Sequence, residues 1–186
     1  MTSPKRPLRF AMLALAAATL ATGVGVALPQ PAPAQSGLTI FGGVDSEYRL
    51  RYLIDFNRPR SRNSRYYLQV ARTKVPRDIL SLEVEYPESF PERRGRFDVN
   101  AIELREGDWR GGSVIPVESI EWEEGSGRIV ITPEAPIPAN TNFVIVMSRV
   151  VNPNRYGYHY FNLNAMFQGD VINQYVGTWP LELGTD

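Results

Sequence analysis

Cysteine is absent from all 186 residues, which excludes a disulfide framework, a thiolate metal site and a lipid-bearing cysteine. Stability must therefore come from core packing. Histidine occurs once, at position 159, so any catalytic triad, paired-histidine metal site or pH switch in the ordinary range would have to use that residue. No nucleophile elbow, phosphate loop or zinc-helix motif occurs, and Gly111-Gly112-Ser113 and Gly125-Ser126-Gly127 read as hairpin turns. No internal repeat, heptad run or low-complexity tract follows the amino-terminal stretch. There is also no excess of positive charge, with 20 basic against 20 acidic residues. Lys5, Arg6 and Arg9 lie near the amino terminus, and removing those three from 20 leaves 17 basic residues, a weakly acidic remainder. Such a balance argues against a nucleic-acid partner.

The first 34 residues read as an export signal. Lys5, Arg6 and Arg9 precede an uncharged Ala- and Leu-rich run, Phe10 to Leu28, and Ala32-Pro33-Ala34 presents the small residues a signal peptidase reads. Cleavage after Ala34 would leave a single domain over residues 35–186. The alternative is an uncleaved anchor, since the 19-residue run reaches the length of about 17 to 25 that a spanning helix needs. Membrane attachment is expected only in that way.

The remainder carries strand patterns rather than helical ones, with 15 glycines and 15 prolines interrupting runs of β-branched and aromatic residues. Tyr48, Leu50, Tyr52, Ile54 and Phe56 alternate with Arg49, Arg51, Leu53 and Asp55, which predicts a strand with one buried face. The same period recurs in Tyr66, Leu68 and Val70, and in Leu80, Leu82, Val84 and Tyr86. Ser119 to Glu123 and Arg128 to Thr132 flank the Gly125-Ser126-Gly127 turn as a hairpin burying Trp122, Ile129 and Ile131. The unbroken apolar run Phe143 to Met147 predicts a strand covered on both faces or crossing between sheets. In Tyr158 to Phe167, His159, Phe161, Leu163 and Ala165 alternate with Tyr158, Tyr160, Asn162 and Asn164, and the Tyr/Asn face is the wetter one. Eight or nine strands and one short helical turn predict an all-β, antiparallel, immunoglobulin-like β-sandwich.

Several elements occur in the order of a known family: Gly95 to Asn100; Pro136-Ile137-Pro138-Ala139-Asn140-Thr141 before Phe143 to Met147; Val150-Val151-Asn152-Pro153; Tyr160-Phe161 with Ala165 and Phe167; and Gln174-Tyr175-Val176-Gly177-Thr178 before a last strand around Leu181 to Leu183. Over about Leu38 to Leu183 the chain resembles the cyanobacterial family called domain of unknown function 2808. It departs from that pattern at Trp179-Pro180, where a glycine or small polar residue is expected in the last turn. The resemblance implies an exported protein with no assigned activity, no cofactor and no catalytic residues to carry over.

The candidate surface residues are two sets. Arg58, Arg60, Arg62 and Arg65 crowd one loop, and Arg93, Arg94 and Arg96 a second; they are either solvated and paired with neighbouring carboxylates or a grip for an oxyanion. Tyr156, Tyr158 and Tyr160 form a ladder that either packs within the sheet or stacks on a sugar, a quinone or a partner protein. His159, on the apolar side of its strand, reads as a hydrogen-bonded core residue. Asp98 with Asn100, and Glu121, Glu123 and Glu124, offer too few oxygens in one loop for calcium. The expected protein is a non-enzymatic binding or structural module of the periplasm, cell envelope or thylakoid lumen, facing a protein or glycan there. One alternative is an envelope glycan hydrolase with a carboxylate pair drawn from Asp98, Asp108 and Glu123; another is a small-oxyanion binder built on the Arg58 to Arg65 loop.

Overall fold

In the computed structural model, residues 43–185 are described; the expected signal peptide over residues 1–34 lies outside them. Ten strands form two five-stranded antiparallel sheets. The first sheet has the order β1 (Tyr52–Asp55), β2 (Ser64–Val70), β8 (Phe143–Val150), β4 (Ile102–Glu106), β5 (Val114–Ile115). The second has the order β10 (Gln174–Leu183), β9 (Gly157–Phe167), β3 (Ile79–Glu85), β7 (Arg128–Pro133), β6 (Val117–Glu123). One short helix, α1 (Ser89–Glu92), lies between β3 and β4. The fold is the expected β-sandwich, with ten strands rather than eight or nine; β4 and the two-residue β5, the latter too short to show a period, are the strands that the alternation did not mark.

The inner faces meet in one core. Trp179, Tyr66, Phe90, Phe143 and Phe161 are among its largest fully buried side chains. The indole Nε1 of Trp179, on the second sheet, donates to the Gln69 carbonyl of the first at 3.1 Å, so a polar bond ties the sheets within the apolar layer. Phe90 carries α1 into that layer and stacks on Phe97 with ring centres 4.7 Å apart. β8 is covered on both faces, as its unbroken run implies: Phe143, Ile145 and Met147 enter the main core, while Val144 and Val146 form a second cluster with Tyr67 on the outer side of the sheet.

Three local patterns differ from expectation. The Tyr48 to Phe56 alternation is not one strand. Thr178 N–H donates to the Tyr48 carbonyl and Leu50 N–H to the Thr178 carbonyl, at the edge of the second sheet, whereas β1 pairs with β2 in the first. The chain therefore crosses between sheets near Arg51, and Phe56 leaves the strand with φ 57° and 63% of its surface exposed. A bulge between Ile79 and Ser81 turns Leu80 outward and places Ile79 in the core instead. Trp179-Pro180 lies within β10 rather than in a turn, with Pro180 on an edge strand, where a missing N–H disturbs no inner ladder. Just before it, Gly177 admits the crossing segment: a Cβ there would stand 2.5 Å from the Tyr48 carbonyl oxygen.

Candidate functional site

The crossing segment leaves a groove of about 730 Å³ along the side of the sandwich where β1 and β10 are the sheet edges. Arg49, Arg51 and Tyr52 line it from the crossing segment, and Tyr158 and Tyr160 from the outer face of β9. Trp109 lines it from the loop after β4. Trp109, Tyr158 and Tyr160 are 61%, 54% and 46% exposed, so the rings have large free faces. Pro180, opposite Tyr160 in the strand ladder, adds a flat apolar wall.

The position of Trp109 is set by its loop. Gly107 and Gly111 adopt φ 99° and 75°, and Trp109 itself φ 57°, a left-handed conformation costly for a residue with a Cβ. The next residue anchors the turn: the Arg110 guanidinium donates to both Asp55 carboxylate oxygens, at 2.5 and 2.8 Å, and to the Tyr67 hydroxyl at 2.9 Å. It also lies 5.0 Å from the centre of the Tyr67 ring. The hydrogen bond from Arg110 holds the Asp55 carboxyl below the usual carboxylate range against the opposing effect of burial. One side chain thus covers the outer apolar cluster and fixes the neighbouring Trp109.

Of the tyrosine ladder, Tyr158 and Tyr160 enter the groove and Tyr156 does not; Tyr156 meets Tyr158 edge-on at 5.8 Å and donates from its hydroxyl to Glu182 at 2.9 Å. Its hydroxyl pKa is raised by hydrogen bonding with Tyr158 and by Glu182. The four arginines of the first loop are not a single cluster. Arg65 lies on β2, where its Nε donates to the Ser148 hydroxyl at 3.0 Å, while Arg58, Arg60 and Arg62 remain in the loop, exposed and without ion pairs among the described residues. None of the four lines the groove.

His159 is fully buried, its Nδ1 3.3 Å from the Ser89 hydroxyl and its ring edge-on to Phe90. Burial first, and the Arg93 charge second, push its pKa down to about 4, so it is neutral at neutral pH. The three carboxylates weighed for hydrolysis lie on different elements with separate partners. Asp98 pairs with Arg149 at 2.8 Å, Asp108 accepts from the Asn142 amide at 3.3 Å, and Glu123 is bound by Arg128 and Ser126. Among the described residues no carboxylate or histidine lines the groove, and no group of three or more potential ligands is placed to hold a metal.

Trp109, Arg49 and Arg51 were missed by sequence reasoning. Gly111-Gly112-Ser113 was legible as a hairpin turn, which joins β4 and β5, but the positive φ of Trp109 before it was not, and the arginines read as the polar face of a strand. No local signal places them beside Tyr160.

A β-sandwich with a groove on its side is the class this architecture defines. The chain belongs to the family described as "Protein of unknown function (DUF2808)", whose profile matches residues 38–183. No curated protein matches. Among solved structures, the collagen-binding domain from a Staphylococcus aureus adhesin is 12% identical with a TM-score of 0.42, covering 73% of this chain and 97% of that one. The human F-spondin reeler domain is 13% identical with a TM-score of 0.39, covering 76% and 93%. The collagen-binding domain of the Erysipelothrix rhusiopathiae surface protein RspB is 10% identical with a TM-score of 0.40, covering 70% and 45%. The ligand question rests on the chain's own residues.

Proposed function

We propose that this protein is an exported, non-enzymatic binding module of the periplasm, cell envelope or thylakoid lumen, which takes an extended segment of a protein or glycan in the groove between Trp109 and Tyr160. One observation carries the reading. Three exposed aromatic rings, Trp109 from the loop after β4 and Tyr158 and Tyr160 from β9, converge on one groove whose charged side chains are Arg49 and Arg51. Flat rings bury large area at small entropic cost, and guanidinium groups hydrogen-bond carboxylate or sulfate along a chain. The dispersion of Asp98, Asp108 and Glu123 favours binding over glycoside hydrolysis, which needs two carboxyl groups facing one bond.

The test is retention on isolated envelope material by tagged protein recovered after export, with the amino terminus read by intact mass. A start at Gln35 and retention lost about tenfold or more in Trp109→Ala and Tyr160→Ala are expected. Loss of retention after protease treatment of the envelope identifies a protein ligand, and loss after periodate oxidation a glycan. Undiminished retention by both variants would sink the groove as the binding site, and a mature terminus at Met1 would sink removal of the leader.

A further inference from the structure

The two arginine loops, remote in sequence, meet on one segment. Arg60 N–H donates to the Pro153 carbonyl at 3.0 Å, and the next residue, Asn154, donates its N–H to the Arg93 carbonyl at 2.8 Å. Asn152, 1% exposed, organises this junction: its amide donates to the Arg58 carbonyl at 3.0 Å, and its Oδ1 accepts from the buried Tyr66 hydroxyl at 2.6 Å. Arg58, Arg60, Arg62, Arg93, Arg94 and Arg155 are thereby gathered at one end of the sandwich, and none has an ion pair among the described residues. Glu88 and Glu92, beside and on α1, and Glu182, bonded to Tyr156, are the acidic residues near it, and six guanidinium groups outnumber them.

Two further features lie at this end. The Arg93 guanidinium is packed on Gly157, where a Cβ would stand 2.5 Å from its Nη1 and 3.6 Å from His159 Nε2. That Nε2 belongs to a fully buried side chain and has no hydrogen-bond partner among the described residues, and neither has the buried Oδ1 of Asn154, five residues earlier. Both atoms are enclosed, so the cationic surface of this end is carried by its exposed arginines. Phe56 is the second feature. Its carbonyl is held by the Ser64 hydroxyl at 2.7 Å, and its ring stands 63% exposed two residues from Arg58.

We infer that this end of the sandwich docks on an anionic lipid surface, with the Phe56 ring entering the interface and Arg58, Arg60, Arg62 and Arg155 spread over neighbouring headgroups. The exposed ring decides between sources of negative charge. An aromatic side chain gains by entering the headgroup boundary, whereas it adds little against a soluble sulfated chain, and a basic belt with an apolar tip is the pattern of a protein that lies on a bilayer. The groove is not involved, and its variants leave this docking unchanged.

The experiment is co-sedimentation of the exported protein with vesicles of phosphatidylcholine alone and of phosphatidylcholine mixed equally with phosphatidylglycerol. About tenfold tighter binding to the anionic vesicles, weakening as salt rises, is expected. Arg58→Glu/Arg60→Glu abolishes the difference. Phe56→Asn, chosen because asparagine tolerates a positive φ, weakens vesicle binding severalfold and leaves retention on heparin resin unchanged. If the first variant misfolds by its melting curve, Arg62→Glu/Arg155→Glu, one from the same loop and one from the segment before β9, supplies the same reading. Equal binding to both vesicle types, no loss in the folded arginine variants, or heparin retention without vesicle binding would each overturn the proposal.

Discussion

The outer faces of the two sheets are built on opposite principles. On the first, Tyr67, Val144 and Val146 are buried with Leu53 packed against them, under a loop whose Arg110 spans Tyr67 and Asp55. On the second, Asn164 donates to Glu83 at 3.2 Å, Arg128 lies 3.5 Å from Glu83 and also pairs with Glu123, and Tyr158 and Tyr160 are exposed. The difference teaches how the groove arises. An apolar outer face needs a cover, and the loop that supplies it also brings Trp109 into the groove lined by Tyr158 and Tyr160 of the other sheet.

The sharpest way to break the comparison is to place a cation on each face. Val146→Lys is expected to cost about 4 kcal/mol in urea unfolding, since it buries an unpaired charge. Val130→Lys, between Glu83 and Glu121 on the second sheet's outer face, should stay within about 0.5 kcal/mol. Equal losses would show that the second face is covered after all.

Acid is the next lever, acting on the inner side of the second sheet. His159 has its folded pKa lowered from an ordinary 6.5 to about 4. The unfolded chain therefore binds the extra proton between those values, and stability falls as pH drops from 6.5 towards 4. The loss is on the order of 3 kcal/mol at the bottom of that window, and the same titration in His159→Gln should lack that component. Tyr66→Phe comes third. It leaves Asn152 Oδ1 without its 2.6 Å donor, for an expected loss of about 1 to 2 kcal/mol by chemical denaturation. Arg110→Ala should lower the melting temperature less than Val146→Lys does, yet weaken groove binding as strongly as Trp109→Ala. A variant that kept full binding would separate the cover from the placement of Trp109. Smallest in stability is Tyr160→Ala, within about 0.5 kcal/mol, because nearly half of that side chain is already in water.

Much of the fold was legible because it is written locally. The run Phe143 to Met147 has no polar side, so both its faces had to be covered, and they are. The alternation from His159 to Ala165 matches the inward face of β9. Leu80 was misassigned because a bulge adds one residue without any mark in composition, and a single extra residue inverts the facing of those before it. Phe56 continued a perfect alternation, but Ser64 and Asn152 hold its backbone in a turn. The tyrosine ladder was visible, whereas its division into groove-lining Tyr158 and Tyr160 and a Tyr156 bonded to Glu182 was not. Nor could the arginine loops be seen to meet, since their meeting rests on backbone bonds to Pro153 and Asn154 that any side chain would allow.

The sequence by itself determined the sandwich class, the family and the inward face of most strands, because the two-residue period and the turn-forming glycines and prolines act within a few residues of each other. Tertiary structure alone decided that Trp109 and Tyr160 line one groove and that Arg60 lies across Pro153 from Arg93. Both depend on which distant strands pair and where the chain crosses between sheets, and long-range pairings carry no local periodicity from which to read them.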